Sequence, residues 1–416
     1  MKLPYQVAIY VFIYISTLSQ PLSANVEFSV PVSSGDEISI TKFSANGEYI
    51  ILWFAPEYGF RKPHRSLALA LSKKNIEVWQ SNIVESLFMP QGITSIRELD
   101  STYVAELIDI AYKKTGKKII VMGDSYASIT ALRGAHQWQS RSSKTPFVGA
   151  VLFSPYTYSS IPALGHTPDY MPIISSTNIP IMIYQAKNSG IISQFDILVK
   201  KLQQHNNPVY TRFTPKVMSL FYQKNITDQM KLQAKPLPQN IYNMITVLEG
   251  HNIPSSPVKL VKKLAKNNGI DSFLKKFSSR QKPSPIKLID TNGDTFIKNQ
   301  YSKRVTIINF WATWCSPCIE EIPSLNRLKS SLRDRPFDLI SINYAEDLDT
   351  IKKFMKKVNV EFPVLLDQNG EFAKQWNVIT YPSTFIIDTK GNIVYGVNAA
   401  IEWDSPEVIE KIKLLF

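Results

Sequence analysis

The 416-residue chain contains two cysteines, Cys315 and Cys318, within the run Phe310 to Pro323, which reads FWATWCSPCIEEIP. Two thiols separated by Ser316-Pro317 can between them attack a disulfide and resolve the mixed disulfide that results, which is thiol–disulfide exchange. Two other uses of the pair fit less well. A tetrahedral zinc site needs about four ligands, and beyond residue 281 there is no further cysteine and no histidine. A purely structural disulfide across so short a span would close too small a loop to stabilise much.

The flanking residues supply the elements that would position this pair. Val305 to Phe310 is β-branched, apolar and uncharged, the pattern of a strand buried on both faces. After it, Cys318, Ile322, Leu325, Leu328 and Leu332 recur at three- and four-residue steps, one face of a helix. The cysteines therefore fall at a strand-to-helix junction. There the free N–H groups and the positive end of the helix dipole favour a thiolate, which predicts a Cys315 pKa lowered into the range of about 3.5–7.5.

From about Lys282 to Phe416 the chain resembles the thioredoxin superfamily, and within it the TlpA/ResA-like thiol-disulfide oxidoreductases of bacterial envelopes. The resemblance rests on Trp311-Ala312-Thr313-Trp314 before Cys315, on Pro323 five residues after Cys318, and on Ile379-Thr380-Tyr381-Pro382-Ser383-Thr384. It rests also on an insert from about Glu346 to Trp376 that holds a helix and the strand Phe362 to Asp367. The resemblance implies that Pro382 is cis and faces the cysteines, presenting a backbone edge on which a client chain pairs like an added strand. It also implies that Glu321 tunes the pair or moves protons; a solvated helix glutamate is the other reading. Asn309 stands where many thioredoxins carry a buried aspartate, which puts more weight on Glu321.

A second constellation lies upstream. Ile119 to Ser128, IIVMGDSYAS, runs strand, tight turn, helix. It resembles the nucleophile elbow of the α/β-hydrolase fold, with Ser125 at the apex and Ala127 in place of the last glycine. The resemblance implies His251, after an apolar run Met244 to Leu248, as general base, and the segment Trp53 to Gly59 as the oxyanion-hole loop. Ser189 occupies the position of the usual acid, with Asp196 as the nearest substitute. A serine hydrolase without its acid loses on the order of 10⁴ in turnover, so a working hydrolase and a degenerate one kept as a binding platform both stand. His64, His136, His166 and His205 show no ligand spacing.

Between these motifs strands and helices alternate. The strand-like runs are 37–41, 49–54, 76–79, 118–122, 148–153, 179–184 and 244–248, and the helix-like runs are 65–73, 101–114 and 127–139. Asn46-Gly47 signals a hairpin between the first two strands, and the later alternation argues a mostly parallel sheet. The expected organisation is an export signal at 1–24, an α/β-hydrolase-like domain at 25–277, a linker at 278–285 and a thioredoxin-like domain at 286–416. Lys2, the apolar stretch Val7 to Leu18 and the small residues ending at Ala24 carry the signal reading, which predicts a periplasmic or otherwise exported protein without stable membrane insertion after cleavage. Net charge is +13 with the basic residues scattered, which argues against nucleic acid as partner. The expected partners are disulfide-containing client proteins and a membrane thiol-disulfide electron donor, with no cofactor or metal. The alternative function is a serine esterase or peptidase with a regulatory redox domain.

Overall fold

The computed structural model describes residues 25–141, 145–160, 164, 167–215, 217, 219–221, 228–260 and 274–416. The expected export signal lies outside them, as does His166.

The first half builds an eight-stranded sheet from β1 (Val26–Pro31), β2 (Glu37–Phe43), β3 (Tyr49–Phe54), β4 (Ile76–Ser81), β5 (Lys118–Asp124), β6 (Phe147–Phe153), β7 (Ile181–Ala186) and β8 (Val209–Thr214). Their order in space is β1-β2-β4-β3-β5-β6-β7-β8. β1 pairs antiparallel with β2 and β2 antiparallel with β4, and every pairing from β4 to β8 is parallel. β3 and β4 are buried along their whole length, as strands covered on both faces must be. One face is covered by the helices Ser101–Thr115 and Ala127–Gln139, the other by Lys62–Ser72 and Leu237–Glu249. The Asp100 carboxylate accepts from Thr102 N at the start of the first of these helices, and left-handed Gly116 ends it, satisfying groups the helix cannot satisfy internally.

Two sequence expectations are corrected here. Asn46-Gly47 does not turn a hairpin: β2 and β3 are separated in the sheet by β4, so the segment is a crossover that carries the chain into the sheet interior. Met244 to Leu248 is not a strand but the last part of the helix Leu237–Glu249. Its buried residues are Leu237, Ile241, Ile245 and Leu248, a helical period that outweighs the β-branched composition of the short run.

The second half is mixed α/β and thioredoxin-like. Its strands are β9 (Lys275–Gln281), β10 (Ile286–Asp290), β11 (Thr295–Lys298), β12 (Val305–Trp311), β13 (Phe337–Tyr344), β14 (Val364–Asp367), β15 (Ser383–Ile387) and β16 (Ile393–Val397). They lie in the order β11-β10-β14-β13-β12-β15-β16-β9. β12, buried throughout, is central, parallel to β13 and antiparallel to β15. Residues 278–281, expected as linker, belong to β9, which pairs antiparallel with β16 at the edge of this sheet. The insert holds the expected helix, Leu348–Met355, and the expected strand, here β14 (Val364–Asp367), followed by a second short helix, Glu371–Gln375.

The halves are in contact. Tyr344 OH donates to Ser189 O at 2.9 Å, and Asn188 Nδ2 donates to Ala345 O at 2.9 Å. Tyr158, Ile191 and Ile379 form a small buried cluster across the boundary, and Leu164 belongs to a hydrophobic core of the second half.

Candidate active site

β12 delivers its chain to the helix Ser316–Ser331 through the turn that holds the cysteines. Cys315 is the N-cap of that helix, and Cys318 N–H donates to Cys315 Sγ at 3.2 Å. The pair is closed as a disulfide. Cys318 is fully buried, and Cys315 is 6% exposed beside Trp314 at 36%. The outer sulfur is thus the one that an incoming group meets. On reduction, the backbone donor and the helix N-terminus would both stabilise its thiolate.

One helical turn beyond Cys318, on the same face of the helix, stands Glu321. It is 3% exposed, so the solvated reading is excluded. Asn309 Nδ2 donates to its Oε1 at 2.8 Å and Trp403 Nε1 to its Oε2 at 3.0 Å. Asn309 Nδ2 also reaches Thr384 Oγ1 at 2.9 Å, tying β12 to β15. Burial pushes the Glu321 carboxyl up to about 7, more than the two side-chain donors pull it down. A carboxyl poised near neutrality next to a thiol pair can hold a proton or release it as the cysteines cycle.

Two loops complete the rim. Tyr381-Pro382 is cis, as the resemblance implied. Tyr381 stacks on Tyr344 with ring centroids 4.7 Å apart and meets the edge of Trp314 at 5.8 Å. Glu346, at the start of the insert, accepts from Thr313 N and from Asn343 Nδ2, both at 2.8 Å. It thereby fixes the backbone two residues before Cys315, and burial raises its own pKa. Trp403 and Glu346 were not singled out in the sequence, because each is defined by a partner more than thirty residues away.

The elbow in the first half is formed as far as its backbone goes. Ser125 follows β5 and opens the helix Ala127–Gln139 with φ of 54°, a left-handed conformation that a non-glycine residue adopts rarely. A side chain at Gly123 would lie 2.5 Å from Ala127 O, so the turn requires glycine there. The loop after β3 reaches the serine: Ser125 Oγ donates to Glu57 Oε1 at 3.2 Å.

The expected triad is not brought together. His251 follows a helix and pairs through Nε2 with Tyr210 OH at 2.8 Å. Tyr210 lies on β8, three strand positions from β5, roughly 14 Å across the sheet. Asp196 is exposed on the helix Phe195–Leu202. Ser189 accepts from Gln185 Nε2 at 2.7 Å and donates to Ala186 O at 2.9 Å, bracing its own loop. The buried histidine of this region is His64, whose Nε2 lies 3.3 Å from Asp124 Oδ2 and whose Nδ1 accepts from Arg61 N at 2.9 Å. Burial raises the Asp124 carboxyl against the opposing pull of His64. His64 also stacks on Phe221 with centroids 4.4 Å apart. Among the described residues no group of histidine, cysteine and carboxylate side chains could hold a metal, and no helix is long and apolar enough to cross a membrane.

A strand, a cysteine pair at a helix N-terminus, a buried carboxyl and a cis-proline loop together define a thioredoxin-like protein, and through its C-terminal segment the chain belongs to that family. The thioredoxin-like protein YneN of Bacillus subtilis is 37% identical over 116 residues, 27% of this chain and 67% of that protein. Residues 280–396 match the AhpC/TSA family model. The thiol-disulfide oxidoreductase ResA of Bacillus thuringiensis is 31% identical over 108 residues, 26% of this chain and 62% of ResA. ResA of Bacillus subtilis is 31% identical over 114 residues, 27% of this chain and 64% of that protein. The chain thus spans a little over three fifths of the length of the ResA proteins it matches.

Proposed function

We propose that this protein is an exported thiol-disulfide oxidoreductase that reduces protein disulfides with Cys315 and Cys318. The observation that carries the reading is the stacked arrangement of an outer, nearly buried sulfur capped by Cys318 N–H, a fully buried second sulfur, and a buried carboxyl, Glu321, one turn below. In the reduced protein the Cys315 thiolate attacks one sulfur of a client disulfide, forming a mixed disulfide and releasing the other client sulfur as thiolate. The Cys318 thiol, losing its proton to Glu321, then attacks Cys315 Sγ, and the first client sulfur leaves. The client gains two electrons and the protein is left with the Cys315–Cys318 disulfide. Pro382 presents the backbone edge on which the client lies. A membrane thiol-disulfide electron donor returns the pair to the dithiol, and residues 1–24 direct export.

The test is the reduction potential of the pair, read by equilibrating the protein in dithiothreitol or glutathione buffers. A value at or below about −250 mV means an electron donor to clients, and one near about −120 mV means a disulfide donor instead.

The first half reads as an α/β-hydrolase-like domain that has lost its triad and serves to hold clients. Its strand order and its elbow support the fold, and the distance of His251 from Ser125 supports the loss. One observation favours a second reading, a serine hydrolase with a regulatory redox half: Ser125 keeps the strained elbow conformation and a carboxylate partner, Glu57. Labelling of Ser125 by a fluorophosphonate in the folded protein supports that reading, and its absence removes it.

A further inference from the structure

The first sheet changes direction between β3 and β5: from β3 the chain passes to β4 on one side, while β5 lies on the other and leads to β6, β7 and β8. In an open parallel sheet the groups that act on a ligand stand outside the carboxyl ends of the strands at such a point. Phe54 and Gly123 are paired at the ends of these two strands, and just beyond them Ser125 Oγ donates to Glu57 Oε1 at 3.2 Å. Each side chain is set by its own backbone. Glu57 lies in a turn closed by Gly59 N–H donating to Pro56 O at 2.9 Å, with Gly59 left-handed at φ of 75°. Ser125 N–H donates to Phe153 O at 3.0 Å, and Ser125 O accepts from Tyr156 N at 3.1 Å, so the chain at the end of β6 holds the elbow from the other side. Ser125 is 7% exposed, and the N–H groups of Tyr126 and Ala127 beside it open their helix without an intrahelical acceptor. His64 and His251 are engaged elsewhere, His64 through one ring nitrogen with Asp124 and through the other with Arg61 N, and His251 with Tyr210.

We propose that Ser125 and Glu57 form a catalytic dyad that cleaves acyl thioesters. This deepens the serine-hydrolase reading above and rests on it. The Glu57 carboxylate takes the Ser125 proton as Oγ bonds to the acyl carbon. The C–S bond then breaks, the thiol leaves with that proton, and the acyl group stays on the serine as an ester. Water attacks this ester and gives a proton to Glu57, which returns it to Ser125 Oγ as the carboxylic acid departs. Tyr126 N–H is the donor to the oxyanion in both steps. The substrate class follows from the base. A carboxylate, whose acid has a pKa ordinarily near about 4.3, draws a proton less strongly than an imidazole, ordinarily near about 6.5. Such a dyad suits acyl groups whose leaving group departs with little help, and a thiol, with an ordinary pKa near about 8.5, is one. The ester left on Ser125 has a far poorer leaving group, so the acyl-serine accumulates.

The full-length protein, with Cys315 and Cys318 closed as the disulfide so that they offer no competing thiol, is mixed with S-phenyl thioacetate, and acetylation of Ser125 is followed by intact mass and peptide mapping. One acetyl group should appear per chain in a fast phase, followed by slow turnover. Glu57→Gln, which keeps the size of the side chain and loses the base, should slow the fast phase about 10²-fold. Between about pH 5.5 and 8 the unmodified rate should stay flat, as for a base already ionised, whereas an imidazole base would give an inflection near about 6.5. The same variants are treated with a fluorophosphonate. Labelling of Ser125 without acetylation by the thioester, or acetylation of Glu57→Gln at the unmodified rate, overturns the dyad and leaves the hydrolase reading standing. Absence of the fluorophosphonate label from the unmodified protein overturns that reading and the dyad with it.

Discussion

The chain makes the same local device twice. In each half a buried parallel strand ends in a tight turn, and the turn places a nucleophilic side chain at the start of a helix: Ser125 after β5 and Cys315 after β12. Around Cys315 stand a second sulfur, a buried carboxyl near neutrality and a cis-proline loop. Around Ser125, among the described residues, the expected His251 stands apart on the far side of the sheet, and His64 is held in a buried pair with Asp124. The difference teaches that an elbow is written in a few adjacent residues, while the groups that would surround it come from distant parts of the chain.

The largest effect that would break this comparison is at the nucleophiles. Cys315→Ser should lower disulfide exchange by at least about 10³-fold, as removal of an attacking group does, while Ser125→Ala should leave it within about twofold. Reduction of insulin and exchange with oxidised glutathione read both, and a comparable loss in Ser125→Ala would end the distinction between the halves.

Next in size is the buried pair. His64→Ala strands the Asp124 carboxyl and removes the ring stacked on Phe221, which should cost roughly 3–5 kcal/mol of stability by chemical denaturation. The potential of the cysteine pair should not move. A lower stability together with a shifted potential would mean that the histidine serves the redox site after all.

Glu321 sharpens the comparison through pH. Its folded pKa, about 7, lies above the ordinary 4.5, so the folded protein holds this proton more tightly than the unfolded chain. The contribution is therefore fully present below about pH 4.5 and is lost as pH rises through 7, a span worth about 3 kcal/mol at about 1.4 kcal/mol per unit. Denaturation curves across that range should show the fall in the unmodified protein and a flat difference in Glu321→Gln, whose exchange rate should also lose its inflection near neutrality. The smallest expected change is Trp403→Phe. Loss of its N–H donor, which now lowers the Glu321 pKa, should move that inflection to higher pH and cost about 1–3 kcal/mol. An unmoved inflection would leave Trp403 as packing alone.

The legibility of the two sites in the sequence follows the range of their contacts. The strand-to-helix junction at Cys315 and Cys318 was legible because it depends on residues within a few positions, and the strand and helix on either side repeat with clear periods. Glu321 was located but its environment was not, since Trp403 lies 82 residues further on. Ser189 was read only as the residue standing where a hydrolase acid would be, and its contact with the second half was not legible. Its neighbours in sequence look like a hydrolase loop, while the partner of its carbonyl, Tyr344, comes from the other half. The run Met244 to Leu248 misled for another reason. Five residues are too few to separate a strand from one side of a helix, and the deciding positions, Leu237 and Ile241, lie before it.

Leu164 carries a consequence for how the whole chain melts. It comes from the first half, yet it is packed into the core of the second beside Ile286, Phe310 and Phe385. With Tyr158 and Ile191 buried against Ile379 as well, the first half covers apolar surface of the second, so loss of the first half uncovers part of the second's core. Heating should therefore give one calorimetric transition whose van't Hoff and calorimetric enthalpies agree, rather than the two separate events expected of independent modules.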